Sequence, residues 1–174
     1  MGLAKTKSKI SVTEYLAGES VSPIKHEYID GEVYAMAGTS RRHNRIGGKL
    51  FARLENHLTG GPCEPFQADV KVYVEAVNCF YYPDLMVGCD PTDKNPYYLT
   101  RPVLLVEVLS PRTARIDRRE KLSSYKTLDG LQEYLILAQD RILATLYRRN
   151  AQGDWDEYEL DETDELFLAS VDLK

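Results

Sequence analysis

The sequence predicts one α/β domain in which a mixed β-sheet is flanked by two helices and extended at the N-terminus by a β-hairpin. Three observations support this fold class. Residues 103–109 are almost wholly apolar, as in a central strand that is covered on both faces. An Asp-Gly pair at 30–31 separates two short β-prone runs, which is typical of a tight hairpin. Apolar residues recur every four positions from 46 to 58, which indicates an amphipathic helix.

The length and composition favour a single domain. A chain of 174 residues is long enough to bury a sizeable core without disulfides or a structural metal. We expect residues 1–174 to form this domain, with 1–10 as a flexible basic tail. No run approaches the ~20 apolar residues that span a bilayer, and no apolar stretch follows the basic N-terminus as in a secretory signal. We therefore expect a cytoplasmic protein with no membrane partner.

The cysteine pattern favours free thiols. Cys63, Cys79 and Cys89 make an odd number, and none belongs to a C-x-x-C pair. Unpaired thiols in a reducing cytoplasm are therefore expected, with neither a zinc site nor a disulfide-linked partner.

The N-terminal region predicts a short helix followed by the hairpin. Ser11 or Thr13 is the candidate cap of that helix, and Pro23 ends the region. The hairpin strands are predicted over 26–29 and 32–36, because Asp-Gly between them accommodates the positive φ angles of a tight turn.

A long helix is predicted from Ser40 to about Leu58. Gly47-Gly48 lowers its propensity but permits close approach to a neighbouring element. The sequence Gly60-Gly61-Pro62 ends it.

The rest of the chain predicts strands around a second helix. Extended segments are expected over 63–77, 80–87, 103–109, 133–137, 143–148 and 155–160. The segment 88–102 contains three prolines and no periodicity, which indicates a surface loop. The second helix is predicted from about 114 to 128, where Asp129-Gly130 stops it.

Charge is distributed unevenly along the chain. The net charge is −5, but residues 152–174 carry −8 and residues 1–151 carry +3. The segment 41–53 holds five bases and no acid, and 112–126 holds six bases against two acids. Such polarisation permits a basic, nucleic-acid-binding face on an acidic protein. Solvated helix faces are the alternative interpretation.

Two acids lie within apolar, β-prone runs, and a lysine follows on the second helix. Burying Asp84 or Glu107 is costly unless a cation meets the carboxylate. If the two strands pair, these acids lie about 5 Å apart, and with a backbone carbonyl and waters they suit Mg²⁺ or Mn²⁺. Lys121 returns over the sheet to roughly the depth of Glu107, so its ammonium is predicted to reach the acids.

Each of these residues also has a structural interpretation. Asp84 is alternatively a strand-initiating residue, Glu107 a member of a structural ion pair, and Lys121 one base among six. Glu27 is either a hairpin surface residue or a further metal ligand, and His43 is either a polar surface residue or a catalyst. No serine, cysteine or histidine spacing supports nucleophilic catalysis.

Several motifs stand in a defined order along the chain. They are Glu27-Tyr28-Ile29-Asp30-Gly31-Glu32, Tyr82-Pro83-Asp84-Leu85, Val106-Glu107-Val108-Leu109-Ser110-Pro111, Lys121 with Tyr125, and Glu133-Tyr134-Leu135. This set resembles the PD-(D/E)xK nuclease superfamily and, within it, the Uma-type restriction endonuclease family, over roughly residues 10–170. The resemblance implies a restriction-endonuclease-like core and Mg²⁺-dependent hydrolysis of DNA phosphodiester bonds, with Mn²⁺ as an alternative ion.

The resemblance also implies roles for individual residues. Asp84 and Glu107 would hold the metal, and Lys121 would orient the attacking water or stabilise the phosphate. Glu27 is a further candidate for the catalytic site, independent of the resemblance. The residues expected to bind nucleic acid are Arg41, Arg42, His43, Arg112 and Arg115. A homodimer is expected, since it would allow both DNA strands to be cut.

One position departs from the superfamily pattern. The usual lysine stands two residues after the acid, where this chain has Leu109. Lys121 must therefore substitute from the helix, with Lys71 as its competitor. The alternative function is a catalytically silent nuclease-fold module that binds nucleic acid or a protein partner. RNA cleavage by the same residues is a weaker alternative.

Overall fold

The computed structural model describes residues 9–109 and 117–174 of the chain. Its helices are α1 (Val12–Glu19), α2 (Arg41–Leu58) and α3 (Leu122–Tyr125), and a π-helical turn over Asp117–Lys121 leads into α3. Its strands are β1 (His26–Ile29), β2 (Glu32–Ala35), β3 (Glu64–Gln67), β4 (Lys71–Val74), β5 (Cys79–Tyr81), β6 (Leu85–Gly88), β7 (Tyr98–Leu99), β8 (Pro102–Leu109), β9 (Glu133–Ala138), β10 (Ala144–Arg149) and β11 (Trp155–Leu160). Short 3₁₀ turns cover Glu75–Val77 and Ala169–Val171.

The strands form two mixed sheets. The five-stranded sheet has the order β2-β1-β5-β4-β7, with β4 and β7 parallel. The six-stranded sheet has the order β11-β10-β9-β8-β6-β3, with β8 and β9 parallel and β8 at its centre. The predicted α/β class with an N-terminal hairpin is confirmed, and the hairpin forms one edge of the five-stranded sheet.

The helix cap and the hairpin turn in the N-terminal region form as the sequence predicts. The Ser11 hydroxyl and the Glu14 carboxylate form a reciprocal capping box at the start of α1. Asp30 and Gly31 have φ angles of 43° and 95°, as a primed hairpin turn requires. The Ile10 amide donates to the Gly31 carbonyl at 3.0 Å, so residues 9 and 10 pack against the hairpin instead of belonging to a loose tail.

Helix α2 has the predicted boundaries and a single apolar stripe. The Ser40 hydroxyl caps it by accepting a hydrogen bond from the His43 amide at 3.1 Å. Leu54 is fully buried against the six-stranded sheet, whereas Arg41 and Arg42 are exposed. Among the described residues, no helix has both the length and the apolar character needed to cross a membrane.

Three apolar clusters hold the layers together. One lies between the two sheets and includes Val72, Leu105 and Tyr134. A second covers the other face of the six-stranded sheet with α2 and the C-terminal segment. A third packs Tyr15 of α1 on Tyr28 and Phe80, on the five-stranded sheet.

The predicted single strand over 80–87 is wrong. The chain leaves the five-stranded sheet after β5 and enters the six-stranded sheet at β6, with Tyr82-Pro83-Asp84 as the crossing segment. Pro83 has no N–H to donate to a strand ladder, so a break there costs little. The extended segment 63–77 is likewise divided between the two sheets as β3 and β4.

The expectation of three free thiols is also wrong. Cys63 and Cys89 form a disulfide, and Cys79 is free and buried. Glu64 pairs with Gly88 across β3 and β6, so the two cysteines lie opposite each other one step beyond that pair. This proximity depends on strand register, which cysteine spacing does not reveal.

Candidate active site

Asp84 lies at the point where the chain enters the six-stranded sheet. Leu85 pairs with Val106 across β6 and β8, which places Asp84 opposite Glu107 one residue further along. The Val108 amide donates to Asp84 Oδ2 at 2.7 Å. The Asp84 side chain is 19% exposed. The pairing of these two strands is therefore the one that the acids' positions in the sequence predict.

Glu107 is the acid in the middle of the apolar strand β8, and its side chain is only 6% exposed. Its Oε1 accepts hydrogen bonds from Lys121 Nζ at 3.0 Å and from the Tyr125 hydroxyl at 3.1 Å. The two donors are four residues apart, on the turn and helix that follow one another, so they reach the sheet from one helical face. Burial of Glu107 is thus compensated by a cation and a hydroxyl.

Glu27 comes to the same place from the other sheet. Its Oε1 lies 2.9 Å from Lys121 Nζ, in an ion pair whose side chains are 15% and 7% exposed. The two groups are not aligned for a hydrogen bond, and among the described residues Glu27 Oε1 has no hydrogen-bond donor although it is buried. The Lys121 ammonium therefore joins a carboxylate of β1 to a carboxylate of β8.

His43 is buried, although the sequence groups it with nucleic-acid-binding bases. Its Nε2 lies 3.1 Å from Asp84 Oδ2. Its neighbours Arg41 and Arg42 remain exposed and border a shallow surface depression. That depression is also lined by Arg45, Ile46 and Lys49. Arg112 and Arg115, also expected to bind nucleic acid, lie outside the described residues.

Lys71, the competitor of Lys121, contacts Tyr82 and not the acids that Lys121 contacts in the described part of the chain. It is buried on β4, where its ammonium donates to the Tyr82 hydroxyl at 3.3 Å and lies 5.1 Å from the centre of that ring. Burial lowers the pKa of Lys71, and the charge of Glu19 opposes this shift only in part. Leu109, at the superfamily's usual lysine position, packs in the cluster between the sheets.

Aromatic rings line the buried side of the site. The Lys121 ammonium lies 5.7 Å from the centre of the Tyr81 ring, at cation–π distance. Burial raises the pKa of Tyr125 well above its ordinary value, and the charge of Glu107 raises it further. Burial likewise raises the pKa of Tyr81. Both phenols are therefore neutral at physiological pH, so Tyr125 acts on Glu107 as a hydrogen-bond donor.

The side chains of this site could supply only part of the ligands that a metal ion needs. Within residues 9–109 and 117–174, no group of three or more His, Cys, Asp and Glu side chains is arranged to hold a metal ion. Mg²⁺ in particular is usually bound by one or two carboxylates, with waters and substrate phosphates completing its octahedron. Asp84, just before β6, and Glu107, opposite it on β8, are two carboxylates of that kind.

Two residues of this site, Tyr125 and His43, make contacts that the sequence does not predict. Tyr125 was part of a motif, and its signal was the spacing of four residues from Lys121. His43 had no comparable signal, because its contact with Asp84 joins residues 41 positions apart in the sequence.

The chain resembles known proteins over most of its length. A family model described as "Uma2: Putative restriction endonuclease" matches residues 12–173. The uncharacterized protein slr1290 of Synechocystis sp. is 40% identical over 166 residues, which cover 95% of this chain and 87% of the relative. A second uncharacterized protein of that organism, sll1609, is 31% identical over 158 residues and 89% of each chain.

A solved structure shares the fold. The crystal structure of a "putative nuclease belonging to DUF820" from Anabaena variabilis superposes with a TM-score of 0.71 at 18% identity. The match covers 92% of this chain and 89% of the other.

Proposed function

The chain belongs to the Uma2 family, and from that membership we propose that it is an endonuclease that hydrolyses DNA phosphodiester bonds with a divalent metal ion, Mg²⁺ or Mn²⁺. Hydrolysis of a phosphodiester needs an activated water and compensation of the charge that develops on the phosphate. The residues around Lys121 are suited to both requirements.

The observation that carries the proposal is the gathering of carboxylates around the buried Lys121 ammonium. Lys121 lies 3.0 Å from Glu107 and 2.9 Å from Glu27, and Asp84 stands opposite Glu107, just before β6. Within residues 9–109 and 117–174, three carboxylates therefore gather at this site, and a divalent cation would reduce the repulsion between them.

Asp84 and Glu107 would hold the metal. When bound, the ion would lower the pKa of a water ligand and stabilise the charge on the phosphate. The Lys121 ammonium would orient the attacking water or contact the scissile phosphate. Glu27 would keep that ammonium charged and directed at the site. The Tyr125 hydroxyl would hold the Glu107 carboxylate in its orientation.

The exposed bases of α2 would bind the phosphate backbone. Arg41 and Arg42 lie on the same helix as His43, which contacts Asp84, so the basic surface begins next to the acids. Arg112 and Arg115 are proposed to add to this surface. A homodimer would present two such sites to the two strands of a duplex, and sedimentation with and without DNA would measure that assembly.

A plasmid-nicking assay with Mg²⁺ or Mn²⁺ tests the function. Glu107→Gln and Lys121→Ala are expected to lower the nicking rate by about 10²-fold or more, as loss of an essential charged group does. Glu157→Gln, an exposed acid on β11, is the matched control and should nick at the wild-type rate. Equal rates for all four proteins would contradict the assignment, and chelator should abolish the wild-type activity.

A silent nuclease-fold module is the second candidate. It is favoured by Leu109, which packs in the core at the usual lysine position, and by the pairing of Lys121 with two acids. Calorimetric titration with Mn²⁺ separates the two functions. Binding that is lost in Asp84→Asn supports the enzyme, whereas no binding by the wild type supports the silent module.

A further inference from the structure

We infer that His43 is a positioning residue, whose imidazole holds the Asp84 carboxylate in the orientation that binds the metal. This inference rests on the proposed function of the same site. The Nε2 atom of His43 lies 3.1 Å from Asp84 Oδ2. A carboxylate can only accept a hydrogen bond, so Nε2 carries the proton in this contact.

Two donors converge on one oxygen of Asp84. The Val108 amide reaches Oδ2 at 2.7 Å, and His43 Nε2 reaches the same atom. Within the described residues, Oδ1 accepts no hydrogen bond, and the side chain keeps 19% of its surface exposed. The carboxylate torsion of aspartate is broad and roughly two-fold, so two donors on Oδ2 select one orientation of the carboxylate.

The position of the imidazole is itself well determined. The Ser40 hydroxyl caps α2 through the His43 amide at 3.1 Å and donates to Gln139 Oε1 at 2.8 Å. The first turn of α2 is thereby tied to the β9–β10 connection. His43 projects from this turn into the interior, and its side chain is 9% exposed. Its packing and its helix both restrict where Nε2 can lie.

The choice of residue type agrees with a positioning role. Arginine or lysine at this position would bring a permanent charge to Asp84 and compete with a cation for it. An imidazole can donate the hydrogen bond as a neutral group and leave the carboxylate charge for the metal. Donors that orient metal-binding groups are worth about 10–100-fold in metal affinity.

Mn²⁺ binding without DNA tests the inference. Free Mn²⁺ would be measured by electron paramagnetic resonance during titration of the wild type, His43→Leu and His43→Gln. Leucine and glutamine fill similar space, but only glutamine offers an N–H near the position of Nε2. His43→Leu is expected to bind Mn²⁺ about 10–100-fold more weakly, and His43→Gln should recover most of that loss. Asn44→Ala, an exposed neighbour on α2, is the control and should bind as the wild type does.

The outcomes distinguish this inference from the function on which it rests. If Asp84→Asn loses Mn²⁺ binding but His43→Leu keeps wild-type affinity, His43 is not a positioning residue while the metal site stands. Nitrogen coupling to bound Mn²⁺ in spin-echo spectra that disappears in His43→Gln would make His43 a direct ligand and would also overturn the inference. If the wild type binds no Mn²⁺, the metal-dependent function fails, and the inference fails with it.

Discussion

Lys121 and Lys71 are both buried, but their surroundings are opposite. Lys121 has two carboxylates within 3.0 Å, whereas in the described part of the chain no carboxylate lies within ion-pair distance of Lys71. The pKa of Lys71 is correspondingly lowered by burial. Lys121 is paired with two acids, whereas the burial of the Lys71 ammonium is a cost to the folded state.

Lys71→Met is expected to stabilise the protein at neutral pH by about 1 kcal/mol, since well-packed apolar groups often replace buried charges without loss. The folded-state pKa of Lys71 lies below the ordinary 10.5, so between these two values the unfolded chain binds more protons than the folded protein. The wild type therefore gains stability as pH rises through that window, and its deficit relative to Lys71→Met shrinks. Urea unfolding from pH 7 to pH 10 would measure this convergence.

Lys49→Met on the exposed face of α2 is the control for Lys71→Met, because its ammonium stays in water. Lys49→Met should show neither the gain in stability at neutral pH nor the pH-dependent change in its difference from the wild type. A Lys71→Met protein that is less stable than the wild type at every pH would show that the contacts with Tyr82 outweigh the cost of burial.

Most individual positions in the site could be anticipated, because the signal was local. An acid in an apolar strand is conspicuous, and the strand period shows which neighbours share its face, so Asp84 and Glu107 were identifiable. The competition between Lys71 and Lys121 was not decidable in this way. It depends on which sheet β4 joins, since β4 lies in the five-stranded sheet while the acid-bearing β8 lies in the six-stranded one.

At the scale of elements, the hairpin turn is set by two residues with positive φ. Gly31 has φ 95°, and a Cβ added there would lie 2.6 Å from the Lys9 Cβ. Gly31→Ala should therefore lower the free energy of unfolding by about 1–2 kcal/mol or more. Gly48→Ala is the matched substitution: its Cβ would meet nothing within 4 Å. Helix propensity predicts a gain of about 1 kcal/mol there. Thermal unfolding of both variants would test these opposite signs.

The disulfide joins the ends of two strands in the six-stranded sheet. Cys63 and Cys89 close a loop with a sequence separation of 26. A loop of this size predicts a loss of about 3 kcal/mol in unfolding free energy when the bond is reduced. Unfolding with and without reductant would measure the loss. The Cys63→Ala, Cys89→Ala double variant should be insensitive to reductant, and an insensitive wild type would contradict the bond.

For the whole molecule, charge is separated between two regions of the chain. The C-terminal residues 152–174 carry −8, whereas the exposed start of α2 is basic. DNA is expected to approach the basic face, because each phosphate contact releases bound counterions.

Arg42→Ala is expected to weaken DNA binding about equally for all sequences and to reduce the slope of log affinity against log salt by about 1. Fluorescence anisotropy at several salt concentrations would measure the slope. Lys94→Ala removes the same charge from an exposed loop and is the control. Equal slopes for the wild type and Arg42→Ala would remove α2 from the DNA-binding surface.

The sequence by itself determined the α/β class, the hairpin, the boundaries of α2, the central strand and the order of the motifs. These features follow from periodicity, capping and turn chemistry, which act between residues close in the chain. Tertiary structure alone decided the division into two sheets, the pairing of Cys63 with Cys89, the ion pairs of Lys121 with Glu27 and Glu107, and the contact of His43 with Asp84. Each of these depends on which strands become neighbours, and contacts between distant residues exist only after that assignment has been made.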